Sequence, residues 1–427
     1  MTLWLYRILL WLAFPLVLLS GWKRCRKVKD ASIPHCLASR FGFNPTPFKT
    51  GGIWIHAVSV GETRSIFPLL KRLKADYPNL PITVTSGSTQ GALQVLNFSP
   101  VEVQHQMIPY DYPFAVKRFL KQLRPKLVVM IETEIWPNLY QACHQANIPL
   151  VLANARLKQG SFESYQKWGG SLVKNALNQT LMIAAQFEVD RQHFIQLGAL
   201  PEKVQTLGNL KFDIEISPGL VDQAKAWRQQ NQVESRFIWV AASTHQYEEQ
   251  LMLQAHQALR QQQPDALLIL VPRHADRFNE VAQQLKQQST PFAQRSLQQA
   301  IQPDTSVYYA DTIGELMLWF AVADVAFIGG SLVNFGGHNI LEPAALGKPV
   351  LSGCHHQNLQ ALYDGFIEQN AVWISDTPQQ LAQQLIQLSQ SETERQQLGQ
   401  AGYQCFSQQT GALDRLLTHI APLLKTD

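Results

Sequence analysis

The sequence predicts an α/β protein with two doubly wound, Rossmann-like domains in tandem and an amino-terminal membrane-anchoring helix. From residue 50 onward, short apolar runs alternate with amphipathic stretches of helical length, which is typical of a parallel sheet with helices on both faces. The alternation lapses near residues 209–235 and then resumes, which indicates a second domain. Nearly all of the first 22 residues are apolar, which predicts contact with a membrane.

The amino-terminal segment, residues 1–22, is barely long enough to span a bilayer. Its uncharged part covers residues 8–22, whereas a spanning helix needs about 20 residues. Counting from Leu3 reaches that length if Arg7 extends its charge to the interface. In-plane insertion and a cleaved signal peptide are the alternatives. The bases follow the apolar run and the cleavage site is poor, which favours an anchor over a signal peptide.

A basic juxtamembrane segment, residues 23–49, follows the anchor. The formal net charge of the chain is +4, and five bases lie together at the start of this segment: Lys23, Arg24, Arg26, Lys27 and Lys29. The basic excess is therefore local, which argues against a general nucleic-acid binder. Because positive flanking residues stay on the cytoplasmic side of a membrane, we expect the body of the protein to lie there.

The composition bounds the rest of the chain. A length of 427 residues predicts two or three domains of about 100–200 residues each. Apolar residues make up 46% and charged residues 16%, which argues against disorder and coiled coil. The five cysteines form no C-x-x-C pair. They predict neither a disulfide framework nor a zinc ribbon, and they fit a reducing compartment.

The two predicted domains cover residues 50–212 and 236–427, joined by a linker at 213–235, and the second domain includes the terminal helices. Two such domains imply a cleft faced by the carboxyl ends of both sheets. The first domain's predicted strands are residues 53–56, 82–85, 127–131, 150–153 and 181–184. The second domain's predicted strands are residues 237–241, 267–271, 307–308, 325–328, 349–351 and 372–374.

Glu62 is the first candidate catalytic residue, because it follows the predicted strand at 53–56 on the cleft side. A carboxylate in a partly dry site suits a general base. The pattern Ser59-x-x-Glu62 is also a capping box, in which the carboxylate only accepts a backbone hydrogen bond. Glu132 and Glu134 follow another apolar strand. Buried charges need partners, but Glu134 also suits a helix amino terminus, so the roles of both stay open.

The second domain carries candidate anion-binding loops. Arg273 ends a predicted strand, and its planar fork matches phosphate oxygens, although an ordinary surface arginine is the alternative. Thr312-x-x-Glu315 predicts a capped helix start whose N–H groups can hold a phosphate. These two loops therefore predict an anion site.

A glycine-rich stretch at residues 329–343 follows the strand at 325–328. Its glycine pairs let the backbone approach a ligand closely, yet the pattern is neither the dinucleotide nor the P-loop motif. Glu342 in the following helix suits two ribose hydroxyls or a solvated helix face. The histidines match no zinc spacing, and no Asp-x-Asp occurs, so we predict no metal site.

Taken together, these stretches resemble 3-deoxy-D-manno-octulosonic acid (Kdo) transferases, a glycosyltransferase family with the GT-B fold. The resemblance covers nearly the whole chain and is specific in its order and spacing. The motifs that carry it are HAVSVGE (56–62), ETEIWPN (132–138), ANARL (153–157), GNLKFD (208–213), AASTH (241–245), LVPRH (270–274), GEL (314–316) and GGSLVNFGGHNILEP (329–343).

The resemblance implies roles for particular residues. Glu62 matches the family's general base, and the first domain is expected to bind the acceptor. The expected CMP-binding residues of the second domain are Pro272, Arg273, Ile313, Gly314, Glu315, Asn339, Ile340, Leu341 and Glu342. Position 313 is often methionine in the family. We discount the isoleucine there because backbone N–H groups are expected to bind the ligand.

The resemblance also implies a reaction and a location. We expect an inverting transfer of Kdo from the donor CMP-Kdo to a lipid A precursor of the lipid IVA type, without a cofactor, in lipopolysaccharide synthesis. The expected location is the cytoplasmic face of the bacterial inner membrane. A sugar-nucleotide epimerase of similar architecture and a non-catalytic nucleotide-binding membrane protein are the alternatives. The number of Kdo units, the oligomeric state and the choice between a spanning and an in-plane helix stay open.

Overall fold

The computed structural model describes residues 1–26, 33, 35–44, 46–214 and 216–424. The chain forms two compact units, the first containing Met1–Asp213 with Thr410–Asp427 and the second containing Ile214–Gln409. Each unit is built on one parallel seven-stranded sheet. The prediction of two parallel-sheet α/β domains is therefore confirmed.

The sheet of unit 1 has the strand order β3-β2-β1-β4-β5-β6-β7. Strand β1 lies in the middle of the sheet. Strands β2 and β3 follow on one side of it and β4 to β7 on the other, so β1 and β4 flank a topological switch point. The strands are β1 (Ile53–Ala57), β2 (Ile82–Ser86), β3 (Gln104–Met107), β4 (Leu127–Ile131), β5 (Leu150–Ala155), β6 (Met182–Ala185) and β7 (Val204–Thr206).

Helices cover both faces of this sheet, because alternate strand residues point to opposite sides. In β1, Ile53 and Ile55 belong to one apolar core and Trp54 to the other. The helices of unit 1 are α1 (Leu3–Leu12), α2 (Phe14–Arg26), α3 (Cys36–Ser39), α4 (Val60–Ser65), α5 (Phe67–Asp76), α6 (Thr89–Phe98), α7 (Pro113–Leu123), α8 (Pro137–Gln145), α9 (Gln159–Trp168), α10 (Gly170–Asn178), α11 (Glu188–Gln196) and α20 (Ala412–Leu424).

The amino-terminal segment forms two helices, which corrects the predicted single anchoring helix. Helices α1 and α2 meet at an angle of 61°. Pro15 lies in the first turn of α2. A single continuous helix would be interrupted there, because proline has no backbone N–H to donate and its ring clashes with the preceding turn. Among the described residues, no single helix combines the length and apolarity of a membrane span, although the bent pair meets both criteria together.

Two polar side chains of helix α1 form hydrogen bonds to the rest of unit 1. The Tyr6 hydroxyl donates to Asp111 at 2.9 Å, and Arg7 Nε donates to Asn138 Oδ1 at 2.7 Å. Part of the helix surface stays open, with Trp4 73% and Leu12 72% exposed. Of the predicted cluster of five bases, Lys27 and Lys29 lie outside the described residues.

One disulfide bond joins Cys25 and Cys36, whereas the sequence predicted no disulfide framework. The end of α2 and the start of α3 bring the two Cα atoms to 5.7 Å, within the range that a disulfide spans. The spacing of the two cysteines in the sequence does not by itself show that they lie this close together. Cys143, Cys354 and Cys405 are free thiols.

The sheet of unit 2 has the order β10-β11-β9-β8-β12-β13-β14, which differs from that of unit 1 because β11 lies between β10 and β9. Its switch point lies between β8 and β12. The strands are β8 (Ile238–Thr244), β9 (Leu267–Pro272), β10 (Phe292–Gln294), β11 (Val307–Tyr309), β12 (Val325–Ile328), β13 (Val350–Gly353) and β14 (Trp373–Ser375). The helices are α12 (Leu220–Gln230), α13 (Glu248–Gln262), α14 (Phe278–Gln287), α15 (Leu316–Val322), α16 (Leu341–Ala345), α17 (Gln360–Glu368), α18 (Pro378–Gln390) and α19 (Glu392–Gln409).

The structure corrects two of the predicted domain boundaries. Helix α20 belongs to unit 1, not to the second domain, because Leu416 and Ile420 complete the core on one face of the first sheet. Much of the predicted linker at 213–235 is helix α12, which belongs to unit 2. Its Trp227 packs edge-on against Trp319 of α15.

Asp213 fixes the start of α20, since its carboxylate accepts the N–H groups of Gly411 and Leu413, both at 2.5 Å. Asp213→Ala is expected to lower the free energy of unfolding by about 1–3 kcal/mol, because it removes these acceptors. Urea unfolding and hydrogen exchange in α20 measure the effect. The exposed Asp304→Ala is the control, and equal stability and exchange in the two variants would contradict the assigned role.

Candidate active site

Three glutamates meet at the switch point of unit 1, and we call them the acidic cluster: Glu62, Glu132 and Glu134. Glu62 lies in the first turn of α4, directly after β1. The other two follow β4, the strand that pairs with β1. Parallel neighbours end at the same edge of a sheet, so side chains far apart in the sequence come together. Burial raises the pKa of Glu134, and repulsion from Glu62 and Glu132 adds to this effect.

Glu62 caps its own helix. Its backbone N–H donates to Ser59 Oγ at 3.2 Å, and its carboxylate accepts the Val58 N–H at 2.7 Å. The capping prediction is therefore confirmed. The carboxylate is only half-buried, and burial raises its pKa against the opposing effect of the Val58 hydrogen bond. The Glu62 carboxylate therefore remains accessible to a ligand while it caps the helix.

Glu134 is the most perturbed carboxylate of the acidic cluster. Burial raises its pKa to about 7, although Trp136 Nε1 donates to it at 2.6 Å. Nearby, His56 is fully buried and burial lowers its pKa to about 3, so it is neutral. His56 Nδ1 lies 3.0 Å from the Thr85 carbonyl, to which it donates. Its Nε2 lies 3.8 Å from Glu134 Oε2 and accepts no hydrogen bond from the described residues.

Glu132 has a cation partner. Its Oε1 lies 2.6 Å from Lys211 Nζ, and its backbone takes a φ of 62°, which is uncommon for a residue other than glycine. Such backbone strain is often found at functional sites. The three carboxylates therefore differ: Glu132 is paired with a base, Glu134 tends to hold a proton, and Glu62 is both ionisable and reachable.

In unit 2, a buried carboxylate shapes the glycine-rich loop. Glu248, at the start of α13, has no exposed surface. It accepts backbone N–H groups from Gly330 at 2.6 Å, Ser331 at 3.1 Å, Leu332 at 3.0 Å and His245 at 3.2 Å. These bonds hold the loop after β12 against the loop after β8, at the switch point of unit 2.

Two histidines lie beside this loop. His245 Nε2 and His338 Nε2 are 2.7 Å apart, so one ring donates its N–H to the other. Phe335 stacks on His245 with ring centroids 4.2 Å apart. Burial lowers the pKa of both imidazoles, that of His338 to about 4. A neutral pair at this position adds no fixed charge to the site.

Arg273 and Glu342, both predicted to bind the donor, lie near each other. Arg273 is exposed at the end of β9. Burial raises the pKa of Glu342, and Arg273 opposes this effect. No salt bridge or hydrogen bond of either side chain occurs within the described residues. Arg273 is therefore available to an anion, and Glu342 to hydrogen-bond donors.

The other predicted donor-site residues differ in access. Ile313 is 79% exposed and Gly314 has a φ of 92°, so the backbone of this turn is open. Three of the residues, Pro272, Ile340 and Leu341, are buried, which leaves only their backbone for contact. Asn339 Oδ1 accepts the Leu341 N–H at 3.1 Å, and this bond shapes the turn before α16.

Glu315 differs from its prediction. The predicted capping box opened a helix near Thr312, but α15 begins at Leu316. The Glu315 carboxylate accepts the Thr312 hydroxyl and pairs with Arg295 at 2.7 Å. This pairing lowers its pKa, and it makes Glu315 a positioning residue for the exposed turn.

Sequence reasoning missed the roles of Glu248 and Arg295. Glu248 had a signal, since two adjacent glutamates begin α13 only three residues after the apolar strand β8. Arg295 had none, because it follows the short strand β10, which was not predicted. Within the described ranges, no group of three or more His, Cys, Asp or Glu side chains is placed to hold a metal ion.

Solved structures resemble this architecture at low identity. A glycosyltransferase from Rickettsia africae is 15% identical, with 89% of this chain and 100% of that chain covered and a TM-score of 0.55. A UDP-GlcNAc 2-epimerase from Neisseria meningitidis is 14% identical, with 87% and 100% covered and a TM-score of 0.58. These likenesses show a GT-B-like fold of two parallel-sheet domains, and the epimerase alternative has only this likeness of fold as support.

Sequence relatives narrow the class to one family. The family model for 3-deoxy-D-manno-octulosonic-acid transferase (kdotransferase) matches residues 35–214. A 3-deoxy-D-manno-octulosonic acid transferase of Haemophilus influenzae is 39% identical over 405 residues, which are 93% of this chain and 93% of that protein. The chain belongs to the Kdo transferase family and is a glycosyltransferase, as the sequence resemblance implied.

The raised pKa of Glu134 predicts a pH-dependent stability. The folded state disfavours the ionised carboxyl, so the wild type loses stability relative to Glu134→Gln as pH rises from about 4.5 to about 7. Above that range the difference is on the order of 3 kcal/mol. Urea unfolding at about pH 5 and about pH 8 measures it. The exposed Glu202→Gln is the control, and parallel pH profiles of Glu134→Gln and the wild type would contradict the assignment.

Proposed function

We propose that this enzyme transfers Kdo from CMP-Kdo to a sugar hydroxyl of a lipid A precursor in lipopolysaccharide synthesis, with inversion and with Glu62 as the general base. The observation that carries the proposal is the position of Glu62. It is a reachable carboxylate at the switch point of unit 1, where ligands of open α/β sheets bind. Of the two neighbouring carboxylates, Glu132 is paired with Lys211 and Glu134 tends to be protonated.

The proposed reaction is a single displacement. The acceptor hydroxyl oxygen forms a bond to the anomeric carbon of Kdo while the bond from that carbon to the CMP oxygen breaks on the opposite face. The hydroxyl proton passes to Glu62, and the bonding electrons leave with CMP. Burial raises the pKa of Glu62, which makes its carboxylate a stronger base. In the transition state the anomeric carbon has oxocarbenium character.

The donor nucleotide is proposed to bind at the switch point of unit 2. Arg273 is an exposed cation without a carboxylate partner among the described side chains, and it suits the single phosphate of CMP. Glu342 suits the ribose hydroxyls as an acceptor. The backbone of Gly314 and of the loop held by Glu248 is proposed to complete the site. No cofactor is required for this chemistry.

We further propose that the protein binds the cytoplasmic face of the inner membrane through α1 and α2. The acceptor is an amphiphile held in the bilayer, so binding there raises its effective concentration. The supporting observations are the exposed apolar residues of both helices, which include Trp4, Leu12 and Leu16. Because α1 is fastened along unit 1 by Tyr6 and Arg7, we propose that it lies in the plane of the interface.

Incubation with CMP-Kdo and a lipid A precursor tests the reaction. The expected product is a glycolipid whose mass exceeds that of the acceptor by Kdo, with release of CMP, and the number of added residues gives the number of transfers. An altered sugar formed without an acceptor would favour an epimerase instead. Bound CMP-Kdo without any product would favour a non-catalytic protein.

Glu62→Gln is expected to reduce kcat by about 10²–10⁴-fold, the usual contribution of a general base, while CMP affinity stays unchanged. Ser59→Ala is the matched control, because it removes a capping group and keeps the carboxylate. It is expected to lower stability by about 1 kcal/mol with much smaller loss of activity. Full activity of Glu62→Gln, or an equal loss in both variants, would show that Glu62 only caps the helix.

A further inference from the structure

A cavity of about 680 Å³ lies in unit 1 between α1, α7 and α8. Arg7 of α1 forms one wall and holds α8 through hydrogen bonds to Asn138 and Gln141, both at 2.7 Å. Leu120 and Ile148 are among the apolar residues of its lining. The cavity thus combines an apolar wall with polar groups.

The charged residues of this cavity are all basic. Lys117, Lys121 and Arg124 line it together with Arg7, and no aspartate or glutamate is among the lining residues. The first three are exposed, and none of them forms a salt bridge within the described part of the chain. Three exposed cations without a salt-bridge partner, with Arg7 beside them, favour an anionic occupant.

The helix that walls the cavity also presents aromatic residues to solvent. Trp4 and Trp11 are 73% and 54% exposed. They lie three residues before and four residues after Arg7, so they are its neighbours on the helix surface. Tryptophan prefers the boundary between lipid tails and headgroups, and nearby bases interact favourably with anionic headgroups.

We propose that this cavity binds the headgroup of an anionic bilayer phospholipid, with the phosphate on Lys117, Lys121 and Arg124 and the adjoining apolar part along the wall of the cavity. This site is distinct from the proposed catalytic one. Arg124 precedes β4, whereas Glu132 and Glu134 follow it, and the two ends of this five-residue strand lie about 13 Å apart. The proposed occupant is therefore a bilayer phospholipid and not the lipid A precursor.

Lysine footprinting on the wild-type protein tests occupancy directly. The full chain is labelled with an amine-reactive reagent in the presence of soluble short-chain phosphatidylglycerol, short-chain phosphatidylcholine or a lipid A precursor. We expect phosphatidylglycerol to protect Lys117 and Lys121, while the exposed Lys158 stays reactive. Equal protection by phosphatidylcholine, or protection by the lipid A precursor alone, would overturn the proposal.

Charge variants test the consequence for membranes. The variant with Lys117→Gln, Lys121→Gln and Arg124→Gln is compared with a control of equal charge change at the exposed lysines 158, 225 and 286. At about 1 kcal/mol per base, the first variant is expected to lose on the order of 100-fold in partitioning to vesicles that contain phosphatidylglycerol. The control is expected to lose less than about 10-fold, because its bases are dispersed.

Activity in detergent micelles separates the two lipid sources. Without a bilayer, the cavity variant is expected to keep the wild-type KM for a lipid A precursor, and a raised KM would assign the cavity to the acceptor instead. Equal vesicle binding by the cavity variant and its control would likewise refute the proposal. The footprint does not require turnover, so it stands or falls separately from the proposed transferase reaction.

Discussion

The hydrogen bonds from four backbone N–H groups to the buried Glu248 carboxylate are the interaction on which the arrangement of unit 2 depends. Loops at the carboxyl ends of parallel strands leave backbone groups that no sheet or helix satisfies, and such groups are costly when buried. One carboxylate satisfies four of them, since an ionised acceptor forms stronger bonds than a neutral one. The same device recurs in unit 1, where Asp111 accepts the N–H groups of Asn138 and Leu139 and Asp190 that of Leu157.

Rigid loops at the switch point make a differentiated acidic cluster possible. Three carboxylates in one place would normally repel one another and share protons. In unit 1 their environments separate them. Lys211 neutralises Glu132, burial favours the protonated form of Glu134, and the Val58 N–H and the Ser59 hydroxyl stabilise ionised Glu62. Different environments thus allow like groups to hold different protonation states at one pH.

The two units each have a parallel sheet with a switch point, and the two switch points have opposite electrostatic tasks. The switch point of unit 1 carries carboxylates that accept protons, whereas that of unit 2 exposes Arg273 and open backbone beside a neutral histidine pair. The proposed lipid cavity lies elsewhere in unit 1, beside α1 and α7. Activation of a hydroxyl, binding of a phosphate and contact with a charged membrane are therefore assigned to separate surfaces, each with the sign of charge that its ligand requires.

The sequence by itself determined the fold class, the central strands and the motifs of the family, because buried strands are uniformly apolar and their ends carry the polar residues. It did not reveal β3, β7 or β10, which are edge strands and so lack the burial that produces a clear pattern. It also missed the break at Pro15 and the return of α20 to unit 1. Only the tertiary structure decided which carboxylates meet, that Glu315 pairs with Arg295, and that α1, α7 and α8 enclose a basic cavity. The physical reason is that contacts between distant segments depend on strand order and helix packing, which local residue patterns do not encode.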